Sequence, residues 1–297
     1  MIRELLLDGP HGELPVRAYL PAGAEASDGG ARAPRPTAAP ALVWAHGGAF
    51  AVGDLDMPEA DWLARQLAGR GIAVVSVDYR LAPLDGQARW GGAVRPGVHF
   101  PVALEELAFV HAWARERAEE LGADPARVAI GGASAGANLA AGATLRLLAD
   151  RAAPWRVLLA YPTLHAVQPP VGEELRRALA AAGRTEEFAP AAVRSFYENY
   201  LGPAGPAEDA PLEAVPGTGT ASQLADFPPS SIAVAEIDEL RVSAEAFAAT
   251  LREAGVDVDL AVEPGATHGY LNRSDEEPGA ASTVERFASR LLGRSAG

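Results

Sequence analysis

The chain has 297 residues, 48% of them hydrophobic, with a formal net charge of −14 and no cysteine. This length suits one large α/β domain with a substantial core, and the acidity argues against nucleic acid and anionic membranes as partners. Disulfides and thiolate metal sites are excluded without cysteine, and no group of His, Asp and Glu has ligand spacing for zinc, so neither a metal nor another cofactor is predicted.

Strands alternate with helices along the first part of the chain. Strand-like segments at 2–7 and 15–20 open the sequence, and the Gly-, Ala- and Pro-rich stretch 22–40 is predicted to form a loop. A buried strand, a helix and a second buried strand are then predicted at 41–45, 57–70 and 72–77. The N-terminal apolar run is too short for a signal peptide and no segment could span a bilayer, so a cytoplasmic location is expected.

A glycine-rich turn, His-Gly-Gly-Ala-Phe, begins at His46 directly after the first buried strand. Such a turn can aim backbone N–H groups at the negative oxygen of a tetrahedral acyl-transfer intermediate. The candidate donors are Gly47, Gly48, Ala49 and Ala135, the last three being favoured. His46 is expected to brace the turn through hydrogen bonds.

The region after the second buried strand has a loop and a helix. Asp78 ends that strand and is expected to be a structural brace beside Arg80 rather than a catalyst. Segment 84–100 is glycine-rich and longer than a plain connection needs, so it is predicted to be an inserted loop near the site. Residues 101–121 are predicted to form a helix, with Pro at its start and Gly122 at its end.

The pentapeptide Gly-Ala-Ser-Ala-Gly, centred on Ser134, has the context of a catalytic nucleophile. It follows the apolar run 128–131 and precedes a helix-like stretch at 138–148, which together predict a strand, a sharp turn and a helix. On such a turn the serine oxygen stands clear of the sheet, where both substrate and base reach it. Ser134 is therefore the candidate nucleophile.

The alternation of strands and helices is interrupted after a strand at 155–161. Segment 163–229 has two helical patterns, at 173–182 and 189–201, and then a Pro- and Gly-rich run, which predicts a cap inserted into the core domain. Its aromatic residues at roughly helical spacing either line an apolar acyl pocket or pack the cap onto the sheet: Phe188, Phe196, Tyr197 and Tyr200.

A serine hydroxyl is a weak nucleophile at neutral pH, so it needs a base and an acid that orients the base. The β-branched run 231–237 ends at Asp238, where a carboxylate would emerge from the strand tip. The neighbouring Glu239 is expected to cap or flank the helix that begins near Val242. Asp238 is therefore the candidate acid.

The candidate base is His268. It lies in a loop between the strand-like stretch 258–262 and the C-terminal helix, so it can reach over the sheet edge toward Ser134. The remaining four histidines are interpreted as structural or solvated: His11, His99, His111 and His165.

These motifs together resemble those of the hormone-sensitive-lipase-like esterases, bacterial family IV. The resemblance spans most of the chain and rests on the glycine turn at 46–50, Asp-Tyr-Arg-Leu-Ala-Pro at 78–83, and the residues around Ser134, Asp238 and His268. It implies an α/β-hydrolase fold, in which a mostly parallel sheet is flanked by helices and carries an inserted helical cap. It also implies a cofactor-free serine carboxylesterase for short to medium acyl esters.

The chain departs from the family pattern at three points. Ala49 replaces the usual third glycine, and the oxyanion hole survives there if φ of Ala49 is negative. Ala133 replaces an Asp or Thr, which removes a polar neighbour of the nucleophile. Strands rather than extra helices open the chain, so the site is expected to be more open or covered differently.

The sequence thus predicts a serine carboxylesterase acting on a small-molecule ester. Amide or formamide hydrolysis by the same triad is an alternative, and a hydrolase-fold binding protein is disfavoured because all three triad positions are filled. The acyl chain length stays open, as does the oligomeric state, for which a homodimer is allowed.

Overall fold

The computed structural model describes residues 1–22, 39–84, 94–274 and 276–294. Within them, eight strands form one sheet: β1 (Ile2–Gly9), β2 (Gly12–Tyr19), β3 (Ala41–Ala45), β4 (Ala73–Val77), β5 (Val128–Ala133), β6 (Val157–Ala160), β7 (Ser230–Ile237) and β8 (Val258–Thr267). The α-helices are α1 (Pro58–Ala68), α2 (Val102–Glu116), α3 (Ala118–Leu121), α4 (Ala135–Ala149), α5 (Glu173–Ala181), α6 (Pro190–Leu201), α7 (Arg241–Glu253) and α8 (Pro278–Leu292).

The sheet is mostly parallel, as expected from the sequence. Its strand order is β1-β2-β4-β3-β5-β6-β7-β8, in which β2 is antiparallel to both β1 and β4 and every other neighbouring pair is parallel. Parallel strands end at the same edge of a sheet, so the turns that follow β3, β5, β7 and β8 lie together.

Helices cover both faces of the sheet, which explains why its central strands are apolar throughout. β3 is buried at every position. Its Leu42 and Trp44 belong to the cluster with α1 and α8, whereas Val43 packs on the opposite face with α2 and α4. Burial of each such large side chain contributes about 1.5–3 kcal/mol, so this layered core fixes the strand ends that carry the site.

Two predicted boundaries were wrong. The helix predicted at 101–121 is divided at Arg117, whose φ of −102° and ψ of 14° separate α2 from α3. β8 continues to Thr267, because after a register shift Ile237 of β7 pairs with Thr267. The residues at 264–267, predicted to be loop, are therefore strand, and His268 directly follows it.

The segment 163–229 connects β6 to β7 and carries α5 and α6. Two polar contacts attach it to α4 through one side chain, Asn138. The hydroxyl of Tyr197 donates to Oδ1 of Asn138 at 2.8 Å, and Nδ2 of Asn138 donates to the carbonyl of Ala214 at 3.0 Å. Both partners of Asn138 lie in the segment, so it is attached close to the start of α4.

Two predicted loops lie largely outside the described residues, namely 23–38 of the first and 85–93 of the second. In the described part of 84–100, Arg95 pairs with Leu84 through the backbone, and its guanidinium donates to the carbonyl of Ala51, next to the glycine turn. In the described ranges, every helix is too short or too polar to cross a bilayer.

Candidate active site

Ser134 occupies the sharp turn between β5 and α4. The strand ends at Ala133 and the helix begins at Ala135, while Ser134 has φ 51° and ψ −116°. A Cβ atom on Gly136 would lie 2.2 Å from the carbonyl oxygen of His46. The start of α4 thus approaches the end of β3 so closely that only glycine fits, and the Ser134 side chain is carried at the tip of the turn.

Ser134, Asp238 and His268 form a hydrogen-bonded row at the ends of β5, β7 and β8. Ser134 Oγ lies 3.0 Å from His268 Nε2, and His268 Nδ1 lies 2.7 Å from Asp238 Oδ2. Asp238 is 2% exposed, and its Oδ1 accepts the N–H of Leu240 at 2.9 Å. A carboxylate that accepts the Nδ1 hydrogen leaves the Nε2 lone pair facing the serine hydroxyl. This geometry can take up the hydroxyl proton as the oxygen attacks.

Two aromatic rings flank the imidazole of His268. The ring of Tyr161, after β6, meets it edge-on at 5.0 Å between centroids, and the ring of Phe188, from the 163–229 segment, lies at 4.3 Å. Only 11% of the His268 side chain is exposed. The imidazole of His268 is therefore held between the core and the segment.

The glycine turn brings backbone N–H groups beside Ser134. Gly48, Ala49 and Phe50 all have positive φ, of 111°, 48° and 66°. Gly48 and Ala49 line the same cavity as Ser134, and no acceptor among the described residues takes their N–H groups. Ala135 is the first residue of α4, so its N–H has no acceptor within the helix. These three groups fit the predicted donor roles.

Two expectations about this turn need correction. Gly47 was a predicted donor, but its N–H already donates to Glu59 Oε1 at 2.6 Å. Ala49 does not meet the expected condition of a negative φ, yet it stays a candidate donor because it lines the same cavity as Ser134 and no described residue accepts its N–H. Its positive φ lies in a region that costs a residue with a side chain about 1–2 kcal/mol. A glycine would take this conformation freely, which explains the family's usual residue there.

Glu59, in the first turn of α1, is a site residue that the sequence reasoning missed. It is 1% exposed, and its Oε2 accepts the Tyr161 hydroxyl at 2.6 Å and the side-chain amide of Asn272 at 2.9 Å. Glu59 also accepts the N–H of Gly47, so its carboxylate links three loops: the glycine turn, the residues after β6 and the residues after His268. Burial and the charge of Glu59 raise the pKa of Tyr161 well above its usual value, so this hydroxyl stays protonated and donates.

His46 braces the glycine turn, as expected. Its Nδ1 lies 2.7 Å from the carbonyl oxygen of Gly47, and its ring stacks on Tyr79 at 4.4 Å between centroids. The Tyr79 hydroxyl donates to the carbonyl of His46 at 2.8 Å. Burial lowers the pKa of His46 and raises the pKa of Tyr79, so both rings are neutral at pH 7.

Arg80 braces a different carboxylate from the one expected. Its guanidinium pairs with Glu106 of α2, and its backbone N–H also donates to that carboxylate at 2.8 Å. Glu106 is fully buried, whereas Asp78 is only partly buried, so Glu106 has the greater need of a cation. Burial raises the pKa of Asp78.

The other four histidines have partners away from Ser134. These partners are Glu105 for His11, the carbonyl of Asn199 for His99, the carbonyl of Val128 for His111, and Ser243 for His165. In the part of the chain that the structure describes, no three or more His, Cys, Asp or Glu residues are grouped to hold a metal ion.

A cavity of about 300 Å³ opens onto Ser134, at the lower end of the usual range for small-molecule sites. Most of its lining is apolar. The core contributes Phe50, Val52, Met57 and Leu240, and the 163–229 segment contributes Phe188, Val193, Phe196 and Tyr197. Tyr200 instead stacks on Phe50 at 4.2 Å between centroids. The aromatic residues of the segment thus divide between lining the cavity and packing on the core.

The chain matches known proteins over nearly its whole length. A family model described as the alpha/beta hydrolase fold matches residues 42–272. The carboxylic ester hydrolase LipN of Mycobacterium tuberculosis is 35% identical, over 98% of this chain and 69% of that protein. The ethyl acetate hydrolase of Pseudomonas putida is 32% identical, over 94% of this chain and 79% of that protein.

A solved structure shows the same likeness in three dimensions. It is brefeldin A esterase, described as a bacterial homologue of human hormone sensitive lipase. The two structures superpose with a TM-score of 0.76 at 26% sequence identity, covering 99% of this chain and 75% of the other.

Proposed function

The chain belongs to the hormone-sensitive-lipase-like carboxylesterases of the α/β-hydrolase fold, and from that membership we propose that it cleaves short to medium acyl esters through an acyl-enzyme at Ser134. The observation that carries the proposal is the hydrogen-bonded row from Ser134 Oγ through the His268 imidazole to the buried carboxylate of Asp238.

In the proposed mechanism, Ser134 Oγ attacks the ester carbonyl carbon while His268 Nε2 takes up its proton. Asp238 stabilises the imidazolium that forms. When the tetrahedral intermediate collapses, His268 returns the proton to the leaving alcohol. A water molecule then attacks the acyl-enzyme with the same imidazole as base, which releases the carboxylic acid and restores the serine.

The negative oxygen of both tetrahedral intermediates would accept the N–H groups of Gly48, Ala49 and Ala135. Donors that are already oriented stabilise this charge without reorganisation, and each is worth about 10²- to 10³-fold in rate. Their position beside Ser134 and the lack of a competing acceptor for Gly48 and Ala49 among the described residues support this assignment.

The size and lining of the cavity support the substrate class. A volume of about 300 Å³ with mainly apolar walls accommodates a small ester rather than a long-chain glyceride. A relative named as an ethyl acetate hydrolase is consistent with this preference. We also propose that the 163–229 segment serves as a cap within a single α/β domain, because its side chains form one wall of this cavity.

The proposal is tested with Ser134→Ala and a series of p-nitrophenyl esters from acetate to octanoate. We expect kcat to fall by about 10⁴-fold or more with the circular dichroism spectrum unchanged, as for other removed nucleophiles. A fluorophosphonate should label the wild-type protein at Ser134 and fail to label the variant. Ester hydrolysis at the wild-type rate in Ser134→Ala would refute the mechanism, and faster cleavage of matched anilides than of esters would favour an amidase.

The homodimer that the sequence allows and the cytoplasmic location that it predicts both stay proposals. Among the described residues, β8 is an edge strand of the sheet and Val262 on it is exposed, so we propose this edge as the one that would pair with a second copy. Light scattering of the purified protein tests the first proposal, and fractionation of expressing cells tests the second.

A further inference from the structure

Glu239, next to the candidate acid in sequence, connects the core to the 163–229 segment. Its Oε1 accepts the backbone N–H of Glu186 at 3.0 Å, and its Oε2 accepts the backbone N–H of Phe188. Its own carbonyl accepts the side-chain amide of Gln168 at 3.0 Å. The sequence predicted that Glu239 would cap or flank the following helix; it does precede α7, which begins at Arg241, but that helix has no side-chain cap.

The conformation of the segment suits an anion at this point. Glu186 has φ 68°, in the left-handed region that residues with side chains avoid. A turn of this kind directs successive backbone N–H groups to one side, which creates a concave site for an anion. The Glu239 carboxylate occupies that site with both oxygens, and hydrogen bonds to a charged acceptor are stronger than neutral ones.

The side chain that this contact positions is Phe188. Its backbone N–H binds Glu239, while its ring lies 4.3 Å from the imidazole of His268 and lines the cavity. Phe188 is 9% exposed, so the ring is enclosed between the segment and the base. A shift of its backbone would therefore change both the cavity wall and the covering of the imidazole.

We propose that Glu239 is a positioning residue that sets the width of the ester cavity by holding Phe188 against His268. The dipeptide Asp238-Glu239 would then have two tasks at one strand end: the first carboxylate orients the base, and the second fixes the wall beside it. This inference rests on the proposed esterase function for its kinetic consequence, but the anchoring itself is measurable without substrate.

The direct test of anchoring is hydrogen exchange, followed by mass spectrometry on peptides that cover residues 184–190. In Glu239→Ala both N–H groups lose their acceptor, so exchange in these peptides should be at least tenfold faster than in the wild-type protein. Glu239→Gln keeps one acceptor oxygen and should give an intermediate rate. Glu245→Gln is the matched control, because it also removes one negative charge but its side chain pairs with Arg241 on α7.

The kinetic test compares kcat/KM for p-nitrophenyl octanoate with that for the acetate. Release of Phe188 widens the cavity, so Glu239→Ala should raise this ratio at least fivefold, chiefly through KM. Phe188→Ala should produce the same shift directly. Because Glu239 is proposed to act through Phe188, adding Glu239→Ala to Phe188→Ala should change the ratio by less than twofold.

Unchanged exchange at 184–190 in Glu239→Ala would overturn the proposal. An additive shift in the double variant would overturn it too, since Glu239 would then act independently of Phe188. If the wild-type protein hydrolysed none of the esters, the proposed function would fail, whereas the exchange measurement would still decide whether Glu239 anchors the segment.

Discussion

The two walls of the cavity are held in different ways. The core wall consists of turns that directly follow β3, β5, β7 and β8, so the sheet fixes their backbone. The opposite wall belongs to the 163–229 segment, which polar contacts attach to the core at Asn138 and Glu239. The residues proposed for the chemistry thus stand on turns that the sheet fixes, and residues that shape the pocket stand on a segment whose position depends on side-chain packing and polar contacts with the core, Arg146–Glu213 and Ser243–His165 among them.

Beyond the loss of Ser134 itself, the largest effect is expected at the core wall, from Asp238→Asn. The asparagine amide would donate to Nδ1 of His268 and favour the wrong tautomer, so kcat should fall by about 10³- to 10⁴-fold while KM changes little. Steady-state kinetics with p-nitrophenyl butyrate measure this. Asp78→Asn, at the end of β4, is the matched control and should keep kcat within about twofold. A loss below tenfold in Asp238→Asn would contradict the assigned role.

A comparison of two glycines tests the close approach of α4 to the end of β3. The added methyl group in Gly136→Ala meets the carbonyl oxygens of His46 and Ala45 at 2.2 and 2.3 Å, so the free energy of unfolding should fall by about 3 kcal/mol. Gly172→Ala, in the 163–229 segment, meets nothing within 4 Å and should change it by less than about 0.5 kcal/mol. Urea denaturation measures the free energy of unfolding of both variants, and equal losses would contradict the close contact at Gly136.

Glu59→Gln tests the carboxylate that joins the loops of the core wall. Its new amide group must face one of the three donors, so the free energy of unfolding should fall by about 2 kcal/mol. The glycine turn would also lose its fixed position, and kcat should drop about tenfold. Glu106→Gln, another buried carboxylate, should lose similar stability without the drop in kcat. Equal effects on kcat would mean that Glu59 is only structural.

The smallest effect is expected from Tyr197→Phe at the attachment of the segment. It removes the one hydroxyl hydrogen that Asn138 Oδ1 and the carbonyl oxygen of Thr163 share as acceptors, so the free energy of unfolding should fall by about 1 kcal/mol. Tyr200→Phe is the control, because its buried hydroxyl has no hydrogen-bond partner among the described residues. Thermal unfolding of both variants should show a lower Tm for Tyr197→Phe alone.

The parts of the molecule that the sequence predicted are those with a local signal. Apolar runs predict the central strands, and a serine with nearby glycines between a strand and a helix predicts the sharp turn. Because parallel strands end at one edge, the positions of Asp238 and His268 just after strand-like runs selected them as partners of Ser134, and the structure brings all three together.

The contacts that the sequence did not predict are those in which a carboxylate accepts backbone N–H groups from a distant part of the chain. In the sequence, Glu59 is an ordinary acidic residue in the first turn of a predicted helix. Its burial and its hydrogen bond with Gly47 of the glycine turn become visible only in the fold. For the same reason Gly47 was counted as a donor. Glu239 was assigned to its own helix because its partners lie about 50 residues earlier in the chain, in a turn that no pattern specifies.

Asn138 has a consequence for engineering this protein. Its side-chain amide lies one helical turn after Ser134. It accepts a hydrogen bond from the Tyr197 hydroxyl and donates one to the carbonyl of Ala214, which lie in two different parts of the 163–229 segment. A chimera that imports a foreign segment at these junctions must therefore supply both groups at matching positions. Otherwise the helix that follows Ser134 retains an unsatisfied amide, and recombination meant to alter substrate choice would also destabilise the protein.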